Sequence, residues 1–328
     1  MRAAFYQRTG PARDVLQLSD LPDPSPAPGE VRVRLQWSGI NPSDVKSRAG
    51  LRTAVLPFPR IVPHSDGMGI IDAVGSGVDL ARIGQRVWTW NAAWGRAFGT
   101  AAQYVVLPQR QAVPLPAGVS GEAGACFGIP ALTALHAVLV DGGVEGKTVL
   151  VAGGAGAVGH YAVQVARLLG AAHVIATVST SRKAEIARIA GVRTVIDYKT
   201  ENVAERVREA TKGRGIDRII EVDVAANAAL DLELIRAGGD CVVYGSNAPQ
   251  FSLQFSPLIL KNIGLRFFIV YNLTDEDRLR AVSQLDSLLE REELIHNIAQ
   301  RLPLERIADA HDMVEQGRAI GNVVLAID

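Results

Sequence analysis

The segment VLVAGGAGAVGHYAVQVARLLG, residues 149–170, constrains the fold more than any other part of the chain. It begins as a β-branched apolar strand, passes through glycines, and continues with apolar residues at helical spacing. Gly154, Gly156 and Gly159 form the pattern G-x-G-x-x-G between the strand and the helix. In this position the pattern is typical of a turn that holds a dinucleotide pyrophosphate on free N–H groups at a helix N-terminus. We therefore predict a dinucleotide-binding turn here.

The chain after Lys147 repeats this alternation of strand and helix. Its predicted strands are TVLVAG, HVIATV, RTVID, DRIIEV, DCVVYG and LRFFIVY. Strands separated by helices of about 10–15 residues form right-handed βαβ units, which predicts a doubly wound parallel sheet. A rival phosphate-binding pattern, GGVEGKT, is excluded as a P-loop because Asp141 stands where glycine is required and the segment precedes its strand.

The first third of the chain has the composition of an all-β domain. Runs such as VRVRLQW, RVWTW and AAQYVVLP alternate with turns rich in proline and glycine. From about residue 119 the sequence becomes rich in alanine and helical in period. We predict a β-rich domain at residues 1–118 and an α/β domain at 119–296. The C-terminal tail, with one more helix and strand, could rejoin either domain.

Composition excludes several classes of function. Lys plus Arg and Asp plus Glu each number 34 among 328 residues, so no net charge attracts nucleic acid or anionic lipid. We predict no nucleic-acid partner and no membrane association, and a cytoplasmic location because neither a signal peptide nor a spanning segment is evident. The two cysteines exclude a disulfide framework, and Cys241 is predicted to be a buried strand residue.

Cofactor choice is decided at the end of the second strand, where an NAD-binding chain has an acidic residue for the ribose 2′-hydroxyl. Here HVIATV continues into STSRK, and no acidic residue occurs between His160 and Ala184. Ser179, Arg182 and Lys183 supply a hydroxyl and two cations, which suit a 2′-phosphate. We predict that NADPH is favoured over NADH. The alternative is that these charges are solvated at the start of the next helix.

Six segments together resemble a known family. They are SGINPSDVKSRAG, SDGMGIIDAVGSGV, GIPALTALHAV, VLVAGGAGAVG, GRGIDRIIEV and VVYGS, and they follow the family's order. The chain resembles the zinc-independent quinone oxidoreductases, the ζ-crystallin-like branch of the medium-chain dehydrogenase/reductase superfamily. This resemblance implies a GroES-like β-rich domain, a Rossmann NADPH-binding domain, and a tail, residues 297–328, that returns to the first domain. It also implies a homodimer formed through the last Rossmann strand, residues 265–271.

The resemblance also implies a set of cofactor contacts. They are Gly156, Ala157, Val158 and Gly159 on the pyrophosphate; Ser179 and Lys183 on the 2′-phosphate; Tyr198 on the adenosine; Asn227, Tyr244, Gly245, Ser246 and Asn247 along the cofactor cleft; and Phe268, Ile269 and Val270 as backbone partners of the nicotinamide amide. Taken as residues alone, Tyr198, Asn227 and Phe268 fit packing or capping roles equally well.

No metal site is predicted. Zinc-dependent relatives have a Cys and a His as catalytic ligands, and Asn41 and Ser65 stand at those positions here. His64 is displaced from the ligand position by one residue, which turns a side chain to the opposite face of an extended segment. We therefore expect His64 to be a loop or surface histidine.

The missing metal limits the chemistry. No metal and no evident base would stabilise an alkoxide, which disfavours simple alcohols as substrates. A quinone or conjugated enone gives a delocalised anion on receiving hydride, so positioning and a few hydrogen bonds suffice. We predict that Asn41 donates to the substrate carbonyl or holds the cofactor ribose; alternatively, NPS is only an Asn-Pro turn. A second function class stays open: an NADPH-binding sensing or structural protein with little turnover.

Overall fold

The computed structural model describes residues 1–52 and 55–327, which form two compact units. The first unit consists of Met1–Pro130, Leu289–Glu292 and His296–Asp328. The second unit consists of Ala131–Leu288 and Glu293–Ile295. The boundary predicted from composition lies at 118/119, whereas residues 119–130 belong to the first unit by their contacts, since Gly121 and Gly124 lie against Trp37 and Met68.

The first unit is built on β-strands, as its alternating sequence indicates. Val31, Val33 and Leu35 in the longest strand are buried at every second position, the period of a strand with one face in the core. The elements up to residue 130 are β1 (Arg2–Phe5), α1 (Ala12–Val15), β2 (Gln17–Asp20), β3 (Glu30–Ile40), α2 (Pro42–Arg48), β4 (Asp66–Val74), β5 (Arg86–Thr89), β6 (Tyr104–Pro108), β7 (Ala112–Pro114) and α3 (Gly121–Gly124).

The second unit alternates strands and helices around one parallel sheet. Its elements are α4 (Leu132–Leu139), β8 (Thr148–Val151), α5 (Ala157–Leu168), β9 (His173–Val178), α6 (Ser181–Ile189), β10 (Thr194–Asp197), α7 (Val203–Thr211), β11 (Ile216–Glu221), α8 (Val224–Leu234), β12 (Ile235–Val243), α9 (Phe255–Leu260), β13 (Gly264–Phe267) and α10 (Asp275–Glu290). The strand order β10-β9-β8-β11-β12-β13 confirms the predicted doubly wound sheet. The order reverses between β8 and β11, and ligands of such sheets bind at the carboxyl ends of the strands beside that reversal.

The last predicted strand, residues 265–271, is shorter than expected. Strand β13 ends at Phe267, and Val270–Asn272 forms a 3₁₀ turn. The ladder ends where β12 ends, at the pair Val243–Phe267. Beyond it, the guanidinium of Arg278 on α10 donates to the carbonyl oxygens of Val270 at 2.6 Å and Tyr271 at 3.3 Å.

The tail completes the first unit. It contributes β14 (Ile298–Pro303), α11 (Ile307–Glu315) and β15 (Asn322–Ala326). Strand β15 pairs antiparallel with β3 and parallel with β14, so the larger sheet of this unit has the order β14-β15-β3-β4-β5-β7, with β6 also on β3. The buried guanidinium of Arg48 on α2 forms a 2.7 Å ion pair with Glu315 on α11.

Two expectations drawn from composition can be compared with this fold. Cys126 and Cys241 are free and buried, and Cys241 lies in β12, which confirms the prediction for Cys241. Among the described residues, no helix combines the length and apolar character needed to cross a bilayer.

Candidate cofactor and substrate site

The glycine turn packs the start of α5 tightly against the sheet. The Gly154 N–H donates to the carbonyl of Thr177 in β9 at 3.0 Å. A Cβ on Gly154 would lie 2.5 Å from the Cβ of Ala176, and a Cβ on Gly159 would overlap the carbonyl oxygen of Gly153. Two of the predicted glycines are therefore required because backbone and strand meet where a side chain would be.

The approach at Gly156 is less close. Gly156 is the N-cap of α5, and a Cβ there would meet only the Gly153 carbonyl, at 3.3 Å. Ala157 and Val158 follow in the first helical turn, where backbone N–H groups have no partner within the helix. These N–H groups and the positive helix end form a cradle that suits a pyrophosphate.

The end of β9 brings together two of the three predicted 2′-phosphate residues. The ammonium of Lys183 donates to Ser179 Oγ at 2.9 Å, and both side chains are half-buried. Arg182 is instead 72% exposed and forms a 3.0 Å ion pair with Glu185, one turn further along α6. Tyr198 lies close by because its N–H donates to the carbonyl of Val178, the last residue of β9.

The carboxyl end of β11 carries a group of polar contacts that the sequence did not reveal. Glu221 is fully buried and accepts hydrogen bonds from the Asp223 N–H and from Asn227 Nδ2, the latter at 3.0 Å. Asp223 in turn accepts from the N–H and the Nδ2 of Asn247, at 2.9 and 2.8 Å. Acidic residues directly after the central strand were the available signal for this network.

The loop after β12 is held to the same turn. The Tyr244 N–H donates to the Glu221 carbonyl at 3.0 Å, and a Cβ on Gly245 would overlap the carbonyl of Val222. Ser246 Oγ donates to the Ala248 carbonyl at 2.7 Å. Four of the predicted cleft residues, 244–247, therefore lie beside the carboxyl end of β11.

The backbone at Phe268, Ile269 and Val270 is only partly available for a ligand. The Phe268 N–H donates to Val243 at 3.1 Å and extends the pairing with β12, while the Val270 carbonyl accepts from Arg278. The Phe268 ring packs edge-on against His136, with centroids 4.5 Å apart. The N–H groups of Ile269 and Val270 are the candidate donors to the nicotinamide amide.

In the first unit, Asn41 is held by two buried carboxyl groups. It is the N-cap of α2, with Pro42 at the first helical position. Its N–H donates to Asp44 Oδ2 at 2.8 Å, and its Nδ2 donates to Asp66 Oδ2 at 3.0 Å. Asp66 Oδ2 also accepts from the Ile129 N–H at 3.1 Å. The Asn-Pro turn is thus present, and the Asn41 amide has a fixed orientation.

Burial dominates the electrostatics around Asn41. It raises the pKa of Asp44 to about 7, against the opposing effect of the Asn41 hydrogen bonds and Arg52. Burial also raises the pKa of Asp66 well above its usual value, and the charge of Asp44 adds to the effect. Both carboxyl groups therefore favour their neutral form more than exposed acids do.

His64 lies in the loop before β4, as predicted, but not at the surface. It is fully buried, and its ring nitrogens lie 2.8 Å from Ser38 Oγ and 2.8 Å from Nε2 of His311 on α11. Burial lowers the pKa of His64 to about 3, so the ring is neutral. The hydrogen bond to His311 uses a nitrogen that a metal would need. Within residues 1–52 and 55–327, no group of three or more His, Cys, Asp or Glu side chains could hold a metal ion.

The positive φ of His64 predicts backbone strain that can be measured. His64 has φ +76°, where a residue with a Cβ is strained by about 1–2 kcal/mol and glycine is not. We expect His64→Ala to be less stable than His64→Gly, by roughly 0.5–1 kcal/mol after allowing for the greater unfolded-state entropy of glycine. Urea unfolding measures both. The matched control is Ser65, whose φ is not positive: there the alanine variant should be the more stable of the two.

Two family models match the chain. Residues 27–117 match the alcohol dehydrogenase GroES-like domain, and residues 157–287 match the model described as zinc-binding dehydrogenase. The first match lies in the first unit and the second in the second unit.

Known proteins resemble the chain along its whole length. The quinone oxidoreductase of Homo sapiens is 30% identical over 335 residues, covering 100% of this chain and 98% of that protein. The crystal structure of Escherichia coli quinone oxidoreductase complexed with NADPH has a TM-score of 0.85 at 26% identity, covering 99% of this chain and 100% of that one. A crystal structure of an NAD-dependent alcohol dehydrogenase has a TM-score of 0.90 at 29% identity, covering 100% of both chains. The similarity therefore includes both units.

Proposed function

We propose that this chain, which belongs to the quinone oxidoreductases of the medium-chain dehydrogenase/reductase superfamily, transfers hydride from NADPH to a quinone or another conjugated enone. Membership in the family makes it an oxidoreductase. The observation that carries the choice of NADPH is the contact between Lys183 and Ser179, because a cation and a hydroxyl meet where an NAD-binding chain has an acidic residue. The Escherichia coli relative, solved with NADPH, supports this choice.

The residues of the second unit fit a dinucleotide. The N-cap at Gly156 and the first-turn N–H groups of Ala157 and Val158 would hold the pyrophosphate. Ser179 and Lys183 would hold the 2′-phosphate, with Arg182 contributing charge from the surface. When bound, NADPH supplies the hydride.

The residues around Asn41 suit a substrate that needs orientation more than proton transfer. The Asn41 amide is buried and is anchored through Nδ2 to Asp66, so its position costs little further entropy when a carbonyl compound binds. Asp44 and Asp66 hold Asn41 from its backbone and its side chain. A quinone or enone makes the smallest demand on such a site, because its product anion is delocalised and can take a proton from water.

The cofactor choice is tested with Lys183→Ala. We expect the unaltered chain to bind NADPH more tightly than NADH by about tenfold or more, and this variant to lose roughly tenfold in NADPH affinity with NADH affinity unchanged, because a charge-assisted contact is removed. Fluorescence titration measures both dissociation constants. Arg188→Ala, an exposed cation in the last turn of the same helix, is the control. Equal constants for the two nucleotides in the unaltered chain contradict the proposal.

The substrate class is tested by steady-state rates under saturating NADPH. We expect simple quinones and short enones to turn over faster than primary alcohols, and Asn41→Ala to lower kcat with these substrates by about tenfold or more, as loss of a positioned donor does. Ser47→Ala on the same helix is the control. Faster turnover of alcohols overturns the mechanism. Tight NADPH binding without turnover of any substrate favours the sensing or structural alternative.

We further propose a homodimer formed through β13. This strand is the edge of the parallel sheet, and all four of its residues are exposed, including Leu265 and Phe267. The Phe267 ring lies beside that of Phe251, with centroids 5.9 Å apart, which widens the apolar surface. An exposed apolar edge strand tends to pair with a strand of another chain unless it is protected.

Light scattering at micromolar concentration tests the dimer. We expect Leu265→Pro to give a monomer, because the N–H groups of Phe268 and Arg266 face β12 and the Leu265 N–H therefore lies on the free edge, where proline removes it. Leu265→Ala is the matched control, since it shortens the same side chain but keeps the N–H, and it should stay dimeric. A monomeric unaltered chain excludes the proposal.

A further inference from the structure

Two buried carboxyl groups face each other beneath the cofactor residues of the second unit. Glu221 ends β11 and is fully buried, and Asp231 on α8 is 6% exposed. The two side chains lie within hydrogen-bonding reach of each other, and Glu221 Oε2 and Asp231 Oδ2 are buried without a donor among the described residues. A hydrogen bond between two carboxyl groups needs a proton on one of them.

Helix α8 presents two side chains to Glu221. Asn227 and Asp231 are four residues apart and so lie on the same helix face, one turn after the other. Asn227 Nδ2 donates to Glu221 Oε1 at 3.0 Å, and Asp231 lies within hydrogen-bonding reach of the same carboxyl group. Glu221 at the end of β11 therefore lies against two successive turns of α8.

The same carboxyl group orders the turn that leads to the cofactor residues. Glu221 Oε1 accepts the Asp223 N–H, and the Asp223 carboxylate binds Asn247 through its N–H and its Nδ2. The Val224 N–H donates to the Gly245 carbonyl at 3.3 Å. The contacts thus run without a break from the buried pair to Asn227 and to the loop at residues 244–247.

The surroundings of the pair favour a neutral acid. Burial raises the pKa of Glu221, and the charge of Asp223 adds to the effect. Burial, together with the charge of Glu221, raises the pKa of Asp231 to about 8. Burial raises the pKa of the Cys241 thiol and of the Tyr244 phenol, and the charge of Glu221 adds to the effect on each. Loss of the shared proton would leave two adjacent buried charges.

We propose that the proton shared by Glu221 and Asp231 holds the turn between β11 and α8 in the arrangement that binds NADPH, so that both residues act as positioning residues for the cofactor. This proposal rests on the proposed function. Deprotonation leaves two adjacent buried charges, and their repulsion displaces the Glu221 carboxylate together with its contacts to Asn227 and Asp223, which weakens cofactor binding.

The experiment measures the dissociation constant of NADPH by fluorescence titration between pH 7 and 9.5. We expect affinity in the unaltered chain to fall by about five- to tenfold over this range, as for a group whose pKa rises by nearly one unit when NADPH binds. Asp231→Asn should bind as the unaltered chain does at pH 7 and stay nearly constant to pH 9.5, because its amide donates to Glu221 at every pH. Asp231→Leu should bind more weakly throughout, because Glu221 Oε2 then has no donor.

Glu233→Gln is the matched control. It changes an exposed acid on the same helix, whose ion-pair partner is Arg208, and should reproduce the unaltered pH profile. A second readout follows from linkage: since the pKa of Asp231 is raised in the folded chain, the free energy of unfolding falls as pH rises toward 8, and Asp231→Asn removes this part of the slope. Identical NADPH profiles for the unaltered chain and Asp231→Asn overturn the proposal, whereas failure of the unaltered chain to bind NADPH at any pH overturns the proposed function instead.

Discussion

The second unit depends on the close approach between the start of α5 and the strands beneath it. Gly154 lies against Ala176 of β9, and Gly159 lies against the carbonyl of Gly153, at distances that no side chain allows. Because this contact holds the helix N-terminus over the end of β8, the free N–H groups of α5 lie beside the point where the strand order reverses. The ends of β9 and β11, with Ser179 and Glu221, flank that same point.

The same kind of hydrogen bond occurs once in each unit. In each unit a buried carboxyl group accepts a 3.0 Å hydrogen bond from an asparagine Nδ2: Asp66 from Asn41, and Glu221 from Asn227. Burial raises the pKa of both acids, and the two asparagines are the residues proposed to contact substrate or cofactor. An amide anchored in this way has one orientation, which a solvated asparagine does not.

His64 shows the limit of arguments from position in the sequence. Because His64 is displaced by one residue from the zinc-ligand position, the sequence predicted no metal role and a place in a loop or at the surface. The tertiary structure buries the ring between Ser38 and His311, from strand β3 and from the C-terminal helix α11. The contact with α11 joins residues 247 positions apart, so no local pattern could show it. The backbone at this residue is left-handed, and its carbonyl accepts from the Thr100 N–H at 2.9 Å.

Local patterns were sufficient for the alternation of strands and helices, the glycine turn, and the meeting of Ser179 with Lys183, because strand period, turn geometry and helix spacing act over a few neighbouring residues. The length of β13 was not predictable in this way, since β13 ends where its partner β12 ends and Arg278 on the following helix binds the carbonyls of Val270 and Tyr271. The pairing of Glu221 with Asp231 was equally hidden: both look like ordinary acids in the sequence, and only the packing of α8 on the sheet buries them together. The sequence by itself determined the family, the fold class and the glycine turn. The tertiary structure decided which polar groups lost water, because burial depends on elements brought together from distant parts of the chain.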